Sequence, residues 1–406
     1  MYWFGLADNR TSEPMCIPVP LIYIILYVAL YAAFGVASPF WPKFFETRAF
    51  APQQIGLILA AALLMRLVSG PLVGMLADLF GSLRLVLAGC AVISAAAAIA
   101  LIWADAFWLL LAVVLLQPAA LAPTTSIADA LSVNLANPRI TGRVEYGRIR
   151  GYASAAFVLG TLSAGQLITP VDLSPVIWMN AALLIAAAGA TALLPSVARS
   201  ASHRPPSFPF AELKALVKMS HFRILILVSA LVYGSHAMHD AFSVIRWSDA
   251  GISTWTISLL WSEAVVAEVF VFFLAGPVLL NRFGARAAIA LSAAAGIVRW
   301  CVAGTTTSVL LLSLIQPLHG LTFALLHLAC MRMMGTLVAT RVAATAQAFY
   351  AFGSGIMTAA MTISSGALYA SYGGAAYFPM AVLCVVALPF AWFGFVGERS
   401  RSGAPA

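Results

Sequence analysis

Long apolar runs recur along the whole chain, separated by short polar breaks. Their approximate limits are 20–42, 53–79, 85–103, 107–131, 147–168, 174–194, 222–246, 254–279, 285–304, 309–332, 342–369 and 374–396. A run of about 20 apolar residues crosses a bilayer as a helix. The runs are continuous rather than alternating, which argues against membrane β-strands. The pattern therefore predicts an all-α polytopic membrane protein with twelve transmembrane helices. Runs that contain Gly or Pro are expected to be broken where neighbouring helices re-satisfy the freed backbone groups.

Composition agrees with this pattern. The 406 residues are 62% hydrophobic and 9% charged, more apolar surface than a soluble fold can bury. Met1 to Pro20 carries Asp8, Arg10 and Glu13 and has no small-residue cleavage site after a short apolar core. It reads as a retained cytoplasmic tail, with the first span as its own insertion signal. The five cysteines are scattered, an odd number that indicates packing roles rather than a disulfide framework or a metal site.

The net charge of +8 would suggest nucleic acid in a soluble protein, but its placement here encodes topology. With the N-terminus inside, 17 of the 22 basic residues fall on the cytoplasmic side and only Lys43, Arg48 and Arg246 outside. That bias supports the twelve crossings and an orientation with both termini cytoplasmic. The longest polar stretch, Pro195 to His221, follows the sixth run. It divides the chain into an N-terminal six-helix half (1–194), a cytoplasmic linker (195–221) and a C-terminal six-helix half (222–406). A weak repeat supports the division: Leu79-Phe80-Gly81 after the second run returns as Arg282-Phe283-Gly284 after the eighth, with Asp78 matching Asn281.

Against so apolar a background, Glu268, Arg299 and His319 stand out deep in three consecutive runs. A charge near the bilayer centre costs at least about 2.5–3.5 kcal/mol, so such groups pair, line a water-filled cavity, or do both. Glu268 and Arg299 are expected at similar depth, near enough to meet. Desolvation and a neighbouring guanidinium act in opposite senses on a carboxyl, a balance that lets it exchange protons near neutral pH. A static ion pair is the alternative. Gln316, His319, Phe323 and His327 recur at helical spacing and form one polar-aromatic stripe. Such a stripe can bind an anion or relay protons, or its imidazoles can simply bond to backbone. His236, His239 and Asp240 share a face of the seventh run and lack a fourth ligand for a metal site. Glu263 lies nearer the outer surface than Glu268, and there function and simple contact with water are equally open. Arg66, in the middle of the second run, is either a second cationic contact or a partner for a backbone carbonyl. Asp129 and Arg150 are either a cavity-floor pair or an inner-face salt bridge.

The stretch from Gly74 through Asp78 and Gly81 to Arg84 resembles the loop between spans two and three of the major facilitator superfamily. Gly74 would permit close helix approach, Asp78 would face the other half, and Gly81 would make the tight turn. Such a loop can latch the two halves in one state. The basic residues usual just after the Asp are missing. Further motifs occur in order: Pro39-Phe-Trp41, Ile127-Ala-Asp129, Glu145-Tyr-Gly-Arg-Ile-Arg150, Gly234-Ser-His236, Trp261 through Glu268, Val298-Arg299-Trp300, Gln316-Pro-Leu-His319 and His327 through Arg332. From about residue 30 to 390 these resemble the phenylpropionate permease family of proton symporters, itself similar to the lactose permease group. That group carries a further acid one turn after the histidine, where this chain has Thr322, so a proton role falls most simply to Glu268.

The resemblance implies a major facilitator fold and proton-coupled import of a small monocarboxylate such as 3-phenylpropionate. It implies no cofactor beyond the proton gradient, and no enzymatic activity. Glu268 and His319 would couple the proton. Arg299 and Arg66 would contact the carboxylate and Phe34, Trp261, Trp300 and Phe323 the ring, with His327, His236 and Gln316 as further substrate-binding residues. The expected partners are a small-molecule solute, protons and the lipid bilayer, with a functional monomer and no nucleic acid. A sugar or nucleoside symporter, an exporter and a non-transporting membrane sensor remain as alternatives. No nucleophile–base arrangement, Gly-rich phosphate loop or metal-ligand set is present.

Overall fold

A computed structural model describes residues 19–80, 82–104, 106–132, 146–194, 214, 216–338 and 342–395. The first half holds α1 (Val19–Ala37), a short α2 (Trp41–Thr47), α3 (Pro52–Phe80), α4 (Leu83–Ala100), α5 (Phe107–Ser132), α6 (Tyr146–Leu167) and α7 (Ser174–Leu193). The second holds α8 (Ser220–Gly234), α9 (Ala237–Asp249), α10 (Thr254–Phe270), α11 (Gly276–Thr305), α12 (Val309–Ile315), α13 (Leu326–Leu337), α14 (Ala343–Tyr372) and α15 (Phe378–Phe393). Among the described residues nine helical stretches are long and apolar enough to cross a membrane. Two of them, Thr254–Thr305 and Thr345–Phe393, are of double length. The first turns back at Gly284, which sits at φ 78° where a side chain would strain the backbone. The second turns at the 3-10 segment Gly373–Tyr377. With α6 the expected twelve crossings are accommodated, and the fold is all-α and polytopic.

The expected breaks fall in the seventh and tenth crossings. α8 ends at Gly234 and α9 resumes at Ala237, which leaves His236 in the interruption. α12 stops at Ile315, because Pro317 has no N–H to continue the ladder. Two π-helical segments follow the candidate site residues directly: Val271–Ala275 after Glu268, and Gly320–Leu325 after His319. They pack against each other. A Cβ at Gly320 would lie 2.6 Å from the Ala267 carbonyl oxygen, so glycine is what lets the tenth crossing close on the eighth beside Glu268. π turns of this kind are frequent at functional sites.

Three apolar cores organise the helices. One is confined to the first half, around Leu26, Leu87 and Leu184, and a second to the other half, around Phe222, Ile289 and Leu326. The third is shared: Phe40, Ile55 and Ala164 pack with Met238, Phe242 and Ile257. The shared residues cluster at one end of the bundle, where α2 and the α4–α5, α6–α7 and α9–α10 connections lie. At that end the Thr254 hydroxyl donates to the Gly165 carbonyl at 3.0 Å, and Lys43 pairs with Asp249 at 3.3 Å and with Glu46. Gly366 backs directly on α3, where an added Cβ would stand 2.5 Å from the Pro52 carbonyl oxygen. The halves are thus joined at one end, while each keeps its own core at the other.

Several expectations for the gate differ from the structure. A Cβ at Gly74 would meet nothing within 4 Å, so this glycine mediates no close approach here. Arg84 donates to the Leu194 carbonyl at the end of α7, which ties two helices of one half rather than latching the halves together. Asp129 accepts a 2.5 Å hydrogen bond from the Tyr27 hydroxyl on α1. Gly81 and the side chains of Asp78 and Arg150 lie outside the described residues, as does most of the 195–221 linker.

Candidate functional site

Arg299 on α11 is the hub of the second half and is 1% exposed. One terminal nitrogen, Nη1, lies 3.0 Å from His319 Nδ1 and 3.5 Å from Thr322 Oγ1. The other, Nη2, lies 3.1 Å from Gln316 Oε1 and 3.4 Å from His239 Nε2. Its guanidinium carbon also sits 4.6 Å over the Trp300 ring. A guanidinium can only donate, so both imidazole nitrogens that face it are acceptors. The proton of His319 is therefore on Nε2, which stands 3.6 Å from Glu268 Oε2. By the same logic His239 donates from Nδ1 to the Ser243 hydroxyl at 2.7 Å, and that hydroxyl contacts Tyr377. His236 donates from Nδ1 to the Val232 carbonyl at 3.0 Å, with Nε2 2.9 Å from Thr322 Oγ1.

Glu268 and Arg299 therefore do not meet. His319 stands between them, with Nδ1 3.0 Å from the guanidinium and Nε2 3.6 Å from the Glu268 carboxylate. Each link comes from a different crossing: the eighth carries Glu268, the ninth Arg299, and the break in the tenth carries Gln316 and His319. Thr322, where the lactose permease group has an acid, joins Arg299 to His236.

Beside this network lies a cavity of about 290 Å³, lined by Tyr233, His236, Asp240, His319, Phe323, His327, Tyr350, Ser354, Gly355 and Thr358. Phe323 stacks on His319 with centroids 5.4 Å apart, and the Tyr350 hydroxyl donates to that of Tyr233 at 3.0 Å. Among the described residues no lysine or arginine lines the cavity.

Of the residues expected to bind solute, His236, Phe323 and His327 reach the cavity, as does the expected coupling residue His319. The others do not line it in this state. Trp300 is fully buried beneath Arg299, and its indole N–H donates to Ser235 at 2.8 Å. Gln316 is 1% exposed because its amide oxygen is spent on Arg299. Trp261 stacks on His239 at 5.1 Å. Phe34 packs edge-on to Tyr31 at 5.6 Å, against the first half's own core. Arg66 is exposed and makes no hydrogen bond or ion pair among the described residues, so the backbone-carbonyl alternative is not seen. Its neighbour Leu67 packs at Gly355, on the cavity wall. Glu263, half-buried, accepts from the Ser313 hydroxyl at 2.7 Å. Among the described residues no three His, Cys, Asp or Glu side chains converge to hold a metal ion.

Asp240 belongs to the site although the sequence pattern placed it only in a tentative metal group. Its carboxyl is exposed into the cavity and has no hydrogen-bond or ion-pair partner among the described residues. Nothing short of packing distinguishes it from its neighbour His239, which turns inward to Arg299.

Residues 21–380 match the MFS_1 like family. Over 374 residues, 89% of this chain and 94% of the relative, the sequence is 32% identical to the Escherichia coli (strain K12) protein named "Probable 3-phenylpropionic acid transporter". Over 320 residues, 75% of this chain and 78% of the relative, it is 24% identical to "Multidrug resistance protein 2" of Bacillus subtilis (strain 168). The solved nucleoside transporter NupG superposes with a TM-score of 0.81 over 93% of this chain and 98% of that one. At 19% identity that likeness bears on the fold alone.

Proposed function

Because the chain belongs to the MFS_1 like family and is a secondary transporter rather than an enzyme, we propose that it imports an aryl monocarboxylate together with protons. The observation that carries this reading is the chain Glu268–His319–Arg299 beside the cavity. His319 holds Arg299 only while its Nδ1 carries a lone pair. A proton delivered there makes the ring an imidazolium that faces Glu268 and can no longer accept from the guanidinium. Arg299 Nη1 is then released toward the space His319 lines, where a carboxylate can take it in a charge-assisted pair. Proton and anion thus favour each other's binding, which is the thermodynamic requirement for symport. Phe323 and Tyr233 offer ring faces to an aryl group. The name of the Escherichia coli relative supports 3-phenylpropionate as the first compound to test.

Orientation follows from the basic residues: both termini and the 195–221 linker between the halves 1–194 and 222–406 face the cytoplasm of a bacterial inner membrane. The joined end of the bundle is then the outer end, and the observed state releases solute inward. Alternating access rocks the halves about the midplane site. A cysteine placed at Arg204 should resist an impermeant thiol reagent added outside intact cells. Labelling there would reverse the orientation.

A second reading, a neutral sugar or nucleoside as solute, draws on the absence of any exposed cation in the cavity wall. Thermal unfolding of the purified protein against 3-phenylpropionate, a sugar and a nucleoside separates the two, because a ligand of the folded state raises stability. We expect stabilisation by the carboxylate, stronger at low pH. Stabilisation by a neutral solute alone would remove the organic-acid reading.

A further inference from the structure

We propose that Asp240 is a second proton site, which must be neutral whenever a carboxylate solute occupies the cavity. This rests on the monocarboxylate reading above and extends it to a residue which that reading leaves without a role. The geometry is direct. Asp240 lines the same cavity as His319 and His327, is exposed into it, and has no hydrogen-bond or ion-pair partner among the described residues. A carboxylate drawn across that space toward Arg299 meets the Asp240 carboxylate, and one guanidinium that also serves His239 and Gln316 does not neutralise both. Two such groups in one desolvated site do not both stay ionised; they share a proton.

The surroundings leave the task to Asp240 itself. Around it stand His236 and His239 on its own crossing, Arg299 on α11, His319 and His327 on the tenth crossing, and Tyr350 on α14. Of these, Arg299 is the cation whose field reaches it, yet that guanidinium is engaged by His319, His239 and Gln316. The elements packed on α9 also carry Lys43 and Glu46 on α2, Arg66 on α3, Glu263 and Glu268 on α10, and Tyr377. Lys43 is committed at the joined end to Glu46 and Asp249, and Glu263 to Ser313. When the solute arrives, a proton moves from water to an Asp240 oxygen. The acid then donates a hydrogen bond to the solute carboxylate instead of repelling it. When the solute leaves, the proton returns to water on the same side.

Such a site makes binding proton-linked: affinity falls about tenfold for each pH unit through which Asp240 must take up its proton. The test is proton uptake measured with a pH indicator in weakly buffered solution as 3-phenylpropionate binds to the purified full-length chain. We expect Asp240→Asn to bind the solute with about one proton fewer taken up per molecule. Its binding should also extend to higher pH than in the wild type. Asp240→Glu, which keeps a carboxyl in the cavity, should retain the uptake, and this variant decides the matter if the Asn protein fails to fold. Uptake unchanged in Asp240→Asn, or lost in a folded Asp240→Glu, overturns the assignment while the symport reading stands. Failure of the wild type to bind any 3-phenylpropionate overturns the monocarboxylate reading, and this inference with it.

Discussion

Glu268→Gln should remove the share of uphill monocarboxylate accumulation that the Glu268–His319 proton drives, while leaving solute exchange across the membrane at least partly intact. The amide keeps nearly the same shape, so an oxygen can remain about where Glu268 Oε2 lies, 3.6 Å from His319 Nε2. It cannot hold or balance a proton, so the imidazolium that would release Arg299 loses its counter-charge. Each proton carried per solute down a gradient of one pH unit supports about tenfold accumulation, since one unit is worth about 1.4 kcal/mol. In the variant that tenfold should be lost, while the Asp240 proton still moves with the solute and counterflow of preloaded solute continues. A variant that concentrates solute as far as the wild type would place the lost proton elsewhere than Glu268.

Arg299→Lys should be costly in two separate ways. The burial of Arg299 adds a loss of stability to the loss of binding. The guanidinium holds His319 Nδ1, Gln316 Oε1 and His239 Nε2 at 3.0, 3.1 and 3.4 Å. An ammonium is a point charge on a flexible stem and cannot reach all three at once. Each buried acceptor left unpaired costs about 1–3 kcal/mol, so the unfolding temperature should drop measurably. Carboxylate affinity should fall roughly tenfold to more than a hundredfold, the loss expected for one charge-assisted pair in a desolvated site. Thermal unfolding and ligand titration on the same preparation read both effects. Normal stability with normal carboxylate affinity would mean that Arg299 neither organises the network nor meets the solute.

Much of this architecture is legible in the sequence because bilayer physics constrains it tightly. Apolar runs of spanning length give the crossings, but Gly and Pro do not say which of them break: helices continue through Pro71, Pro118, Pro123 and Pro389 while the tenth crossing stops before Pro317. The cost of a charge at the midplane singles out Glu268, Arg299 and His319 as neighbours in function. What the sequence does not carry is rotation. Gln316, His319, Phe323 and His327 share one face of an unbroken helix, but the tenth crossing is broken at Pro317 and passes through a π segment at Gly320–Leu325. Those departures turn Gln316 inward to Arg299 and leave the other three on the cavity.

The same limit explains Trp300 and Phe34, aromatic residues in crossings where nearly every position is apolar. Nothing in such a run separates a side that faces a core from one that faces a cavity. Asp240 is the converse case. It adjoins His239 and reads as part of a metal-like group, and only the inward turn of His239 leaves the acid facing the solute space. Arg66 lies on α3 but does not line the cavity beside the network.

The central claim is that a proton on the Glu268–His319 pair and a carboxylate on Arg299 bind and move together. Purified protein in proteoliposomes, supplied with labelled 3-phenylpropionate and an acidic exterior, tests it most directly. The account predicts accumulation above equilibrium that a protonophore abolishes and that vanishes when the two pH values are equal. Uptake that stops at equilibrium under a maintained pH gradient would contradict it.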